Sequence, residues 1–379
     1  MGKRRLAYAA WLLFAGLIYF FENNTGTRAL LAGSVLIPAG SVACAIGSVR
    51  RAAWELQAPV SVGRSDAAPC TVCVRGLLPG AVCTGTLRAA NRLCCEETRL
   101  PVMLAGPSGT ARTRLSSGHC GMLELSLEDV RIRDWFGLWQ SAPLPEKREH
   151  VLVQPELFVP EVCFAQGETP SADGERWSMT RPGNDPSETF SIREYIPGDP
   201  VRQIHWKLSQ KTDTLMLREL GLPVAEETLL LLDTTVPETG PDPAAMDAAV
   251  SVLLSLSRSL ALQGIAHQVG WKDRGLNELI LCAVRTPEEW GRMEEKILAA
   301  AAAPDGEGVC SCFRKWTDGG VYAHTVVCAP ALPEGLEKLC AGNRVTLLLP
   351  DSSAWEADTV QVIPFPEEGL AQTLASIEI

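Results

Sequence analysis

SIREYIPGDPVRQIHWK, residues 191–207, is the stretch from which the architecture of this 379-residue chain can be predicted. Arginine, glutamate, aspartate, histidine and lysine side chains crowd around a Pro-Gly-Asp-Pro turn. A charged run is ordinarily a solvated surface, but this one is interleaved with Tyr195, Ile204 and Trp206. Those apolar side chains indicate partial burial, so the neighbouring charges must pair with one another or with a bound partner.

Two compatible interpretations of these charges follow. In the first, they form an internal ion-pair network that joins a β-sandwich to an α/β domain, with Trp206 packed as an apolar wedge and His205 hydrogen-bonded inside it. In the second, they form a docking surface, because arginine beside aromatic residues is the composition of interface hot spots. The network would consist of Arg193, Glu194, Asp199, Arg202 and Lys207, with Arg218-Glu219 contributing.

The same stretch resembles the signature of a bacterial family, domain of unknown function 58. The resemblance implies a von Willebrand factor A-like domain in the C-terminal half. It also implies a partner, since members of this family are typically encoded beside MoxR-type AAA+ ATPases. The signature is therefore the candidate interaction site. Its matching residues, in order and spacing, are Arg193-Glu194-Tyr195, Pro197-Gly198-Asp199, Arg202 and Ile204-His205-Trp206-Lys207.

Composition narrows the classes of function. The chain is 46% hydrophobic and 21% charged, with a net charge of -11. Its length predicts two modest domains besides any membrane segment. Its acidity argues against a nucleic-acid partner, because phosphate binding needs a positive surface. The 13 cysteines are odd in number and follow no framework spacing, so we interpret most of them as reduced side chains in a cytosolic compartment.

Two apolar runs near the N-terminus predict a transmembrane hairpin. Leu6–Phe21 and Ala29–Val49 carry no charge, and each approaches the roughly 20 residues that cross a bilayer. Lys3-Arg4-Arg5 precedes the first run and Arg50-Arg51 follows the second, which favours the cytoplasmic side for both ends. A cleaved signal peptide is the alternative, but no small-residue cleavage site follows the first run. We expect a multi-pass protein of the bacterial cell membrane whose bulk lies in the cytoplasm.

Residues 52–160 have the pattern of a small β-sandwich. Short β-prone runs alternate apolar and polar side chains between turn residues. Pro79-Gly80 provides a hairpin turn between the first two of these runs. Examples of the runs are Thr71–Arg75, Ala81–Leu87 and Gly121–Leu127.

Val130–Leu138 is a further segment of this middle region. It is similar to a family segment that ends Asp-Pro-Phe-Gly-Leu, with Trp135 in place of the proline. A β-hairpin with a buried aromatic tip explains the segment equally well. The missing proline removes the residue that would favour a turn at this position.

After Pro223 the pattern becomes that of an α/β domain. Thr228–Asp233 is a continuous apolar run that ends in a carboxylate, as a buried parallel strand does. Pro243–Leu262 predicts a helix that is apolar nearly all round and must be covered on more than one side. Strand-like and helical runs then alternate, which predicts a mostly parallel, Rossmann-like sheet. The further strands are Ile265–Trp271, Leu276–Val284, Val321–Cys328 and Val345–Leu349, and the further helices are Pro287–Ala302 and Leu332–Cys340.

The end of the first of these strands is a candidate cation site. Von Willebrand factor A-like domains bind a divalent cation through an Asp-x-Ser-x-Ser loop, and this chain reads Asp233-Thr234-Thr235-Val236-Pro237. The oxygens of Asp233 and Thr235 suit a hard cation such as Mg²⁺, whose shell a partner's carboxylate would complete. Pro237 offers no ligand where the loop has its second hydroxyl. The alternative is that Asp233 only caps the end of the strand. Mg²⁺ is the one candidate cofactor that the sequence offers.

Catalysis by the signature is a further alternative. His205, with Asp199 and either Ser191 or Ser209, has the residue types of a hydrolase triad, although geometry decides such a claim. The sequence has neither a Gly-x-Ser-x-Gly elbow nor a phosphate-binding loop. We therefore expect a protein that is not an enzyme.

The sequence thus predicts four parts: a transmembrane hairpin (1–51), a β-sandwich-like domain (52–160), a connector with the charged signature (161–222) and a von Willebrand factor A-like α/β domain (223–379). The predicted function is a membrane-anchored, non-enzymatic adaptor or scaffold through which a MoxR-type AAA+ ATPase acts on the cytoplasmic face. The alternatives are a cation-dependent, adhesion-type protein-binding module acting alone and a hydrolase that uses His205.

Overall fold

Residues Met1–Gln154 form one unit of the chain and residues Pro155–Ile379 form a second. The charged signature falls in the second unit. The structure is a computed structural model, and the residues that it describes are 2–22, 24–64, 66–163, 176–177, 185–221, 223–236, 240–273, 278–302, 308–316, 322–340, 344–350, 360–367 and 369–378.

Two apolar helices open the first unit. Helix α1 comprises Gly2–Phe21 and helix α2 comprises Thr25–Val49, and both are long and apolar enough to cross a membrane. Asn24 and Thr27 form a capping box, in which the Thr27 N–H donates to Asn24 Oδ1 (2.9 Å) and the Asn24 N–H donates to Thr27 Oγ1 (3.2 Å). The box begins α2 sharply, because the first amides of a helix have no partner within it.

The first unit continues as two β-sheets that share one core. Three strands pair in the order β1-β3-β6 and five in the order β2-β8-β7-β4-β5, all antiparallel except β2 with β8. Leu56 and Val72 of the smaller sheet and Leu125 and Ile132 of the larger one lie in the same buried cluster. The strands are β1 (Ala53–Gln57), β2 (Ser61–Gly63), β3 (Ala68–Arg75), β4 (Ala81–Asn91), β5 (Glu96–Ala105), β6 (Ser108–Leu115), β7 (Gly121–Asp134) and β8 (Lys147–Gln154).

The C-terminal part of α2 packs against this core. Ala45 is fully buried in the same cluster. Ser41 Oγ donates to Gly80 O (2.8 Å), and Ser48 Oγ accepts from the Leu78 N–H (2.9 Å). Gly80 has φ +80°, and a Cβ there would lie 3.1 Å from Ser41 Oγ, so this position requires glycine twice over. A turn is present at Gly80, but the predicted hairpin is wrong, because β3 and β4 on either side of it belong to different sheets. The turn lies where helix and sheet meet.

The segment Val130–Leu138 differs from its prediction. A buried aromatic tip is wrong, because Trp135 and Phe136 are both exposed. Strand β7 runs through the region to Asp134, with Asp129 at φ +49° where the register with β4 shifts. Such a bulge adds one residue and so shifts the alternation of side chains, and a different set of side chains faces the core after it. The strand leaves the core only after Asp134, and the aromatic residues follow it.

The second unit is built on a mostly parallel sheet. Its central strands are neighbours in the order β15-β14-β13-β16-β17-β18, of which β15 is antiparallel to β14 and the other pairs are parallel. Strand β10 pairs with β13, β9 with β19 and β11 with β12. The strands are β9 (Glu161–Cys163), β10 (Arg176–Trp177), β11 (Asp185–Glu194), β12 (Met216–Gly221), β13 (Pro223–Leu232), β14 (His267–Asp273), β15 (Glu278–Val284), β16 (Tyr322–Cys328), β17 (Val345–Pro350), β18 (Val360–Phe365) and β19 (Ser376–Glu378).

Helix α4 is enclosed within this unit. Its length and composition would also allow it to cross a membrane, but nearly all its residues are buried beside the sheet. Two of its hydroxyls have partners outside the helix: Ser257 Oγ lies 2.7 Å from His267 Nε2, and Ser259 Oγ donates to Pro160 O (2.6 Å). The helices are α3 (Trp206–Thr212), α4 (Pro243–Leu262), α5 (Pro287–Leu298), α6 (Val309–Trp316), α7 (Leu336–Cys340) and α8 (Leu370–Thr373).

The predicted α/β elements are present, with differences at their ends. Strand β13 is fully buried over Leu229–Leu232, as its continuous apolar run indicates. Helix α4 has the predicted bounds. Helix α7 begins at Leu336, four residues later than predicted, because Gly335 has φ +78° and cannot lie within a right-handed helix.

Candidate functional site

The signature folds onto the paired strands β11 and β12, and we call residues 191–219 the signature hairpin. Ser191 lies opposite Glu219 in the register of the two strands. The connection between the strands contains a 3₁₀ helix at Val201–Gln203 and then α3. Ile204 is buried and forms a bridge with Leu217. This backbone pairing between two buried residues holds the connection against the strands.

A tight turn brings Asp199 back to Arg193. The Asp199 N–H donates to Ile196 O (3.0 Å), with Pro197 and Gly198 between them. Gly198 has φ +115°, a conformation that favours glycine, and proline suits the position before it. Asp199 Oδ2 accepts in turn from the Ile196 N–H (3.0 Å). The Pro-Gly-Asp sequence therefore has a geometric role, which is to direct one carboxylate into the turn.

Arg193 is the centre of the hydrogen bonds in the signature hairpin. Its Nη1 and Nη2 donate to Asp199 Oδ2 (2.7 Å) and Oδ1 (2.9 Å), which makes a bidentate pair. Its Nε donates to Glu219 Oε1 (2.8 Å). The other carboxylate oxygen of Glu219 accepts from Ser191 Oγ. One guanidinium thus connects the turn to both strands.

These contacts shift the acidity of all three charged side chains. The Arg193 guanidinium lowers the pKa of Asp199, and the Ile196 amide adds to that shift. The pKa of Glu219 is lowered by the Ser191 hydroxyl and then by Arg193. The pKa of Arg193 is raised by Asp199 and then by Glu219. Each group is held in its charged form by the others, so the charges at the base of the hairpin satisfy one another.

His205 caps helix α3. Its Nδ1 accepts from the Leu208 N–H (3.1 Å). Ser209 Oγ donates to His205 O (3.0 Å) and accepts from the Met216 N–H (2.9 Å). Among the hydrogen bonds of the described residues, none joins the imidazole to a serine or to Asp199. The geometry of a hydrolase triad is therefore not assembled here.

The ion pairs of the signature hairpin involve fewer residues than the sequence predicts. Glu194, Arg202 and Lys207 are exposed, and no ion pair of theirs occurs among the residues that the structure describes. The predicted packing of Trp206 as a wedge is wrong, because Trp206 is 60% exposed. Ile204 takes the buried position instead.

The exposed side chains of the connection form the outer part of the signature hairpin. Two are aliphatic, one is aromatic and two are basic. Tyr195, beside them, is half-buried, and its N–H donates to Leu215 O (2.8 Å). We call the exposed set the outer surface; it comprises Ile196, Val201, Arg202, Trp206 and Lys207.

Asp233 lies at the carboxyl end of β13. Its Oδ1 accepts from the Thr235 N–H (3.0 Å) and the Thr235 hydroxyl (2.6 Å), which is the strand-end arrangement that the sequence offers as one alternative. Burial raises the pKa of Asp233, and the bonds from Thr235 oppose that shift. Among the described residues there is no group of three or more His, Cys, Asp or Glu side chains placed to hold a metal. Pro237 lies outside the described residues, and a Mg²⁺ site remains a prediction.

The cysteines carry no disulfide. All 13 are free, and burial raises the pKa of Cys70 and of Cys83 to about 11. A thiol with so high a pKa stays protonated and is a poor nucleophile. These side chains therefore behave as small apolar residues of the sandwich core.

The sequence alone does not identify Glu219 as the partner of Ser191 and Arg193. A signal for it exists: Ser191 and Arg193 are two residues apart, so they share one face of β11. An acidic residue on the pairing strand is a natural partner for that face. Only the register of β11 and β12 shows that this residue is Glu219.

Comparison with known proteins locates the similarity in the signature. Residues 191–261 match the profile of a family described as "Protein of unknown function DUF58". The match begins at the first residue of the signature and supports the resemblance to that family. No curated protein matches the chain.

Similarity to solved structures is weak. A cohesin module from a family 33 glycoside hydrolase of Clostridium perfringens is 10% identical, covering 28% of this chain and 98% of that chain, with a TM-score of 0.22. An alkylpurine DNA glycosylase of Pseudomonas fluorescens is 8% identical, covering 37% and 42%, with a TM-score of 0.17. A cycloisomaltooligosaccharide glucanotransferase of a Paenibacillus species is 9% identical, covering 79% and 45%, with a TM-score of 0.19. Likeness at this level does not assign a fold.

Proposed function

We propose that this protein is a membrane-anchored, non-enzymatic adaptor, and that a cytoplasmic partner docks on the outer surface of the signature hairpin. The observation that carries the proposal is the contrast between the two parts of the hairpin. Arg193, Asp199 and Glu219 satisfy one another at its base. Arg202 and Trp206 are exposed beside them, and Arg202 makes no ion pair with any residue that the structure describes.

The composition and the rigidity of this surface both support docking. Tryptophan and arginine are enriched among residues whose truncation costs about 2 kcal/mol or more of binding free energy. The hydrogen-bonded turn below them reduces the conformational entropy that a partner's binding would otherwise remove. Arg202 lies in the 3₁₀ helix and Trp206 in α3, so regular backbone structure carries both side chains.

The nature of the partner rests on the family resemblance. That resemblance implies a MoxR-type AAA+ ATPase, and it gives the α/β unit the expected character of a von Willebrand factor A-like domain. Helices α1 and α2 are suited to hold the protein at a membrane. In this proposal the ATPase supplies the energy and the adaptor determines where it acts.

The proposal is tested by capture from membranes. Tagged full-length protein is purified in detergent with Mg²⁺-ATP present, as wild type and as the variants Trp206→Ala and Arg202→Ala. We expect the wild type to retain an ATPase and Trp206→Ala to weaken its affinity by about 30-fold, the equivalent of about 2 kcal/mol. Trp135→Ala is the matched control, since it removes an exposed tryptophan from the other unit. Absence of an ATPase from the wild-type sample, or equal capture by every variant, contradicts the proposal.

A second function, cation-dependent binding without an ATPase, is favoured by the position of Asp233. Its backbone N–H donates to Cys328 O (2.9 Å), so it lies where β13 and β16 end side by side. The chain leaves β13 through α4 towards β14, on the opposite side from β16. Ligands of open α/β sheets bind at such a switch point. Calorimetric titration with Mg²⁺ tests this function: heat that saturates in the wild type and is lost in Asp233→Asn supports it, and absence of Mg²⁺ uptake removes it.

A further inference from the structure

The turn that follows β7 holds two aromatic side chains outward, and we call residues 134–139 the aromatic turn. Trp135 is 74% exposed and Phe136 is 43% exposed. The backbone beneath them is well bonded: Asp134 Oδ1 accepts from the Trp139 N–H (2.6 Å), and the Gly137 N–H donates to Asp134 O (3.1 Å). Large apolar side chains that are held in water forgo the free energy of burial, so a surface of this kind indicates an interaction site.

Both apolar helices touch the aromatic turn. On α1, Arg5 Nε donates to Leu138 O (3.0 Å). On α2, Ser41 Oγ accepts from the Trp135 N–H (3.1 Å). Arg5, Ser41 and the turn therefore lie at one height along the helical hairpin.

The pairing of the two helices gives the same height independently. The helices are antiparallel, and Trp11 Nε1 donates to Ser34 Oγ (3.1 Å). From Trp11 back to Arg5 the chain covers about 9 Å, and from Ser34 on to Ser41 about 10 Å, at about 1.5 Å per residue. The two helices thus reach the aromatic turn together.

The apolar length beyond that height is short for a bilayer. Leu6–Phe21 is about 24 Å long and the uncharged part of α2 beyond Ser41, Ala29–Gly40, is about 18 Å long, at about 1.5 Å per residue. The hydrocarbon core of a typical bilayer is about 30 Å thick. A bilayer crossed by this hairpin must therefore extend to the height of the aromatic turn, either at its own thickness or locally thinned.

We propose that the aromatic turn is an interfacial membrane anchor. Trp135 and Phe136 insert among the lipid headgroups on the side where the chain leaves the bilayer, the position that tryptophan favours in membrane proteins. Arg4 lies against the same turn, because a Cβ at Gly137 would meet Arg4 Nη1 at 2.7 Å. Arg4 and Arg5 place two positive charges where they attract anionic headgroups. The occupant of this surface is the bilayer itself, and the anchor does not depend on any protein partner.

The anchor is tested by the quenching of tryptophan fluorescence in lipid. Full-length protein is placed in nanodiscs of phosphatidylcholine and phosphatidylglycerol, with bromine atoms near the headgroup end of the acyl chains. The variants are Trp135→Phe and, as the matched control, Trp206→Phe, whose tryptophan is also exposed. We expect Trp135→Phe to remove a component quenched by bromolipid, from one of the 10 tryptophans, and Trp206→Phe to remove a component quenched only by aqueous iodide.

Two outcomes overturn the anchor. If the component lost in Trp135→Phe is quenched by iodide, the turn faces water. If neither quencher reaches it, the turn is covered by protein. Because none of these measurements involves an ATPase, the anchor and the docking function can fail separately.

Discussion

Arg193 acts through the shape of its side chain as much as through its charge. The two terminal nitrogens meet both oxygens of Asp199, while Nε meets Glu219 from a different direction. A lysine has one nitrogen and cannot serve both carboxylates in this geometry. If Arg193 were lost, Asp199 and Glu219 would remain close to one another with no positive charge between them.

The first prediction concerns this arginine. We expect Arg193→Lys to lower the thermal unfolding midpoint, and Arg193→Ala to lower it further, because the carboxylates are then left without a positive partner. Unfolding followed by circular dichroism at pH 7 measures the effect. Arg202→Lys is the control, since Arg202 is exposed and has no ion pair among the described residues. Equal midpoints in all four proteins contradict the central role of Arg193.

The second prediction concerns His324 and pH. His324 is buried, with Nε2 2.9 Å from Thr346 Oγ1. Burial, assisted by Arg344, lowers its pKa to about 4 from the usual 6.5. Because the folded pKa lies below the unfolded one, the stabilising contribution is complete above about pH 6.5 and is lost as the pH falls to about 4. That shift corresponds to about 3 kcal/mol of the free energy of unfolding.

His324→Asn isolates this contribution. The variant keeps a hydrogen-bonding side chain beside Thr346 but does not titrate. Denaturant unfolding between pH 7 and 4 should show a steeper loss of stability in the wild type than in the variant. Carboxylates titrate in both proteins and cancel in the comparison. Parallel curves would mean that His324 contributes nothing to the pH dependence.

At this scale the sequence predicts part of the site. Arg193 and Asp199 flank a Pro-Gly turn, and that spacing makes their contact foreseeable. The contact with Glu219 depends on the register of two strands that are separated by an irregular connection. Ile204, which is paired with Leu217 through the backbone, has the buried place, and Trp206 is exposed. The spacing of residues within the signature predicts neither the contact with Glu219 nor the exposure of Trp206.

Among the elements, α4 is the one that the sequence predicts best. Asp242 and Pro243 are an N-cap and a first-turn residue of standard type, and the apolar run behind them is long. Composition alone does not distinguish a buried helix from a membrane span. The distinction comes from distant partners, such as the Phe158 N–H, which donates to Ser255 Oγ (3.2 Å). A partner about a hundred residues away leaves no trace in the local pattern.

The third prediction concerns the start of this helix. Asp242 Oδ1 accepts from the N–H groups of Ala244 and Ala245, each at 3.1 Å. Asp242→Ala should lower the free energy of unfolding by about 1 kcal/mol, because it leaves two amides without a partner. Asp242→Asn retains an acceptor and should change it little. Urea unfolding of the two variants measures the difference, and equal losses would mean that the cap contributes charge and not a hydrogen bond.

The end of β7 is the element where prediction from sequence is wrong. In the sequence, Gly121–Leu127 and Val130–Leu138 are two separate β-prone segments, and the aromatic residues lie near the end of the second. The bulge at Asp129 joins them into one strand and changes which side chains face the core afterwards. A single residue at positive φ is not visible in a pattern of hydrophobicity. The consequence is the exposed Trp135, on which the proposed membrane anchor rests.

For the whole molecule, the sequence predicts the kinds of structure present and their order along the chain. Apolar helices, a β-rich part and a mostly parallel α/β part occur in that order. The signature region folds within the second unit. The pattern of apolar and polar residues does not predict the partner. That pattern reports which residues are buried, whereas the choice of partner depends on exposed side chains. The four-part division and the role of the ATPase remain predictions.

The central proposal is that α1 and α2 cross the membrane and that the chain after α2 lies on the side where Arg5 and Arg50 lie. Its most direct test is proteolysis of C-terminally tagged protein in intact cells and in inverted membrane vesicles. The account predicts a full-length tagged chain after protease treatment of intact cells and its degradation to the helical hairpin in inverted vesicles. Loss of the tag and of the folded units from intact cells would contradict it, because the docking surface would then lie outside.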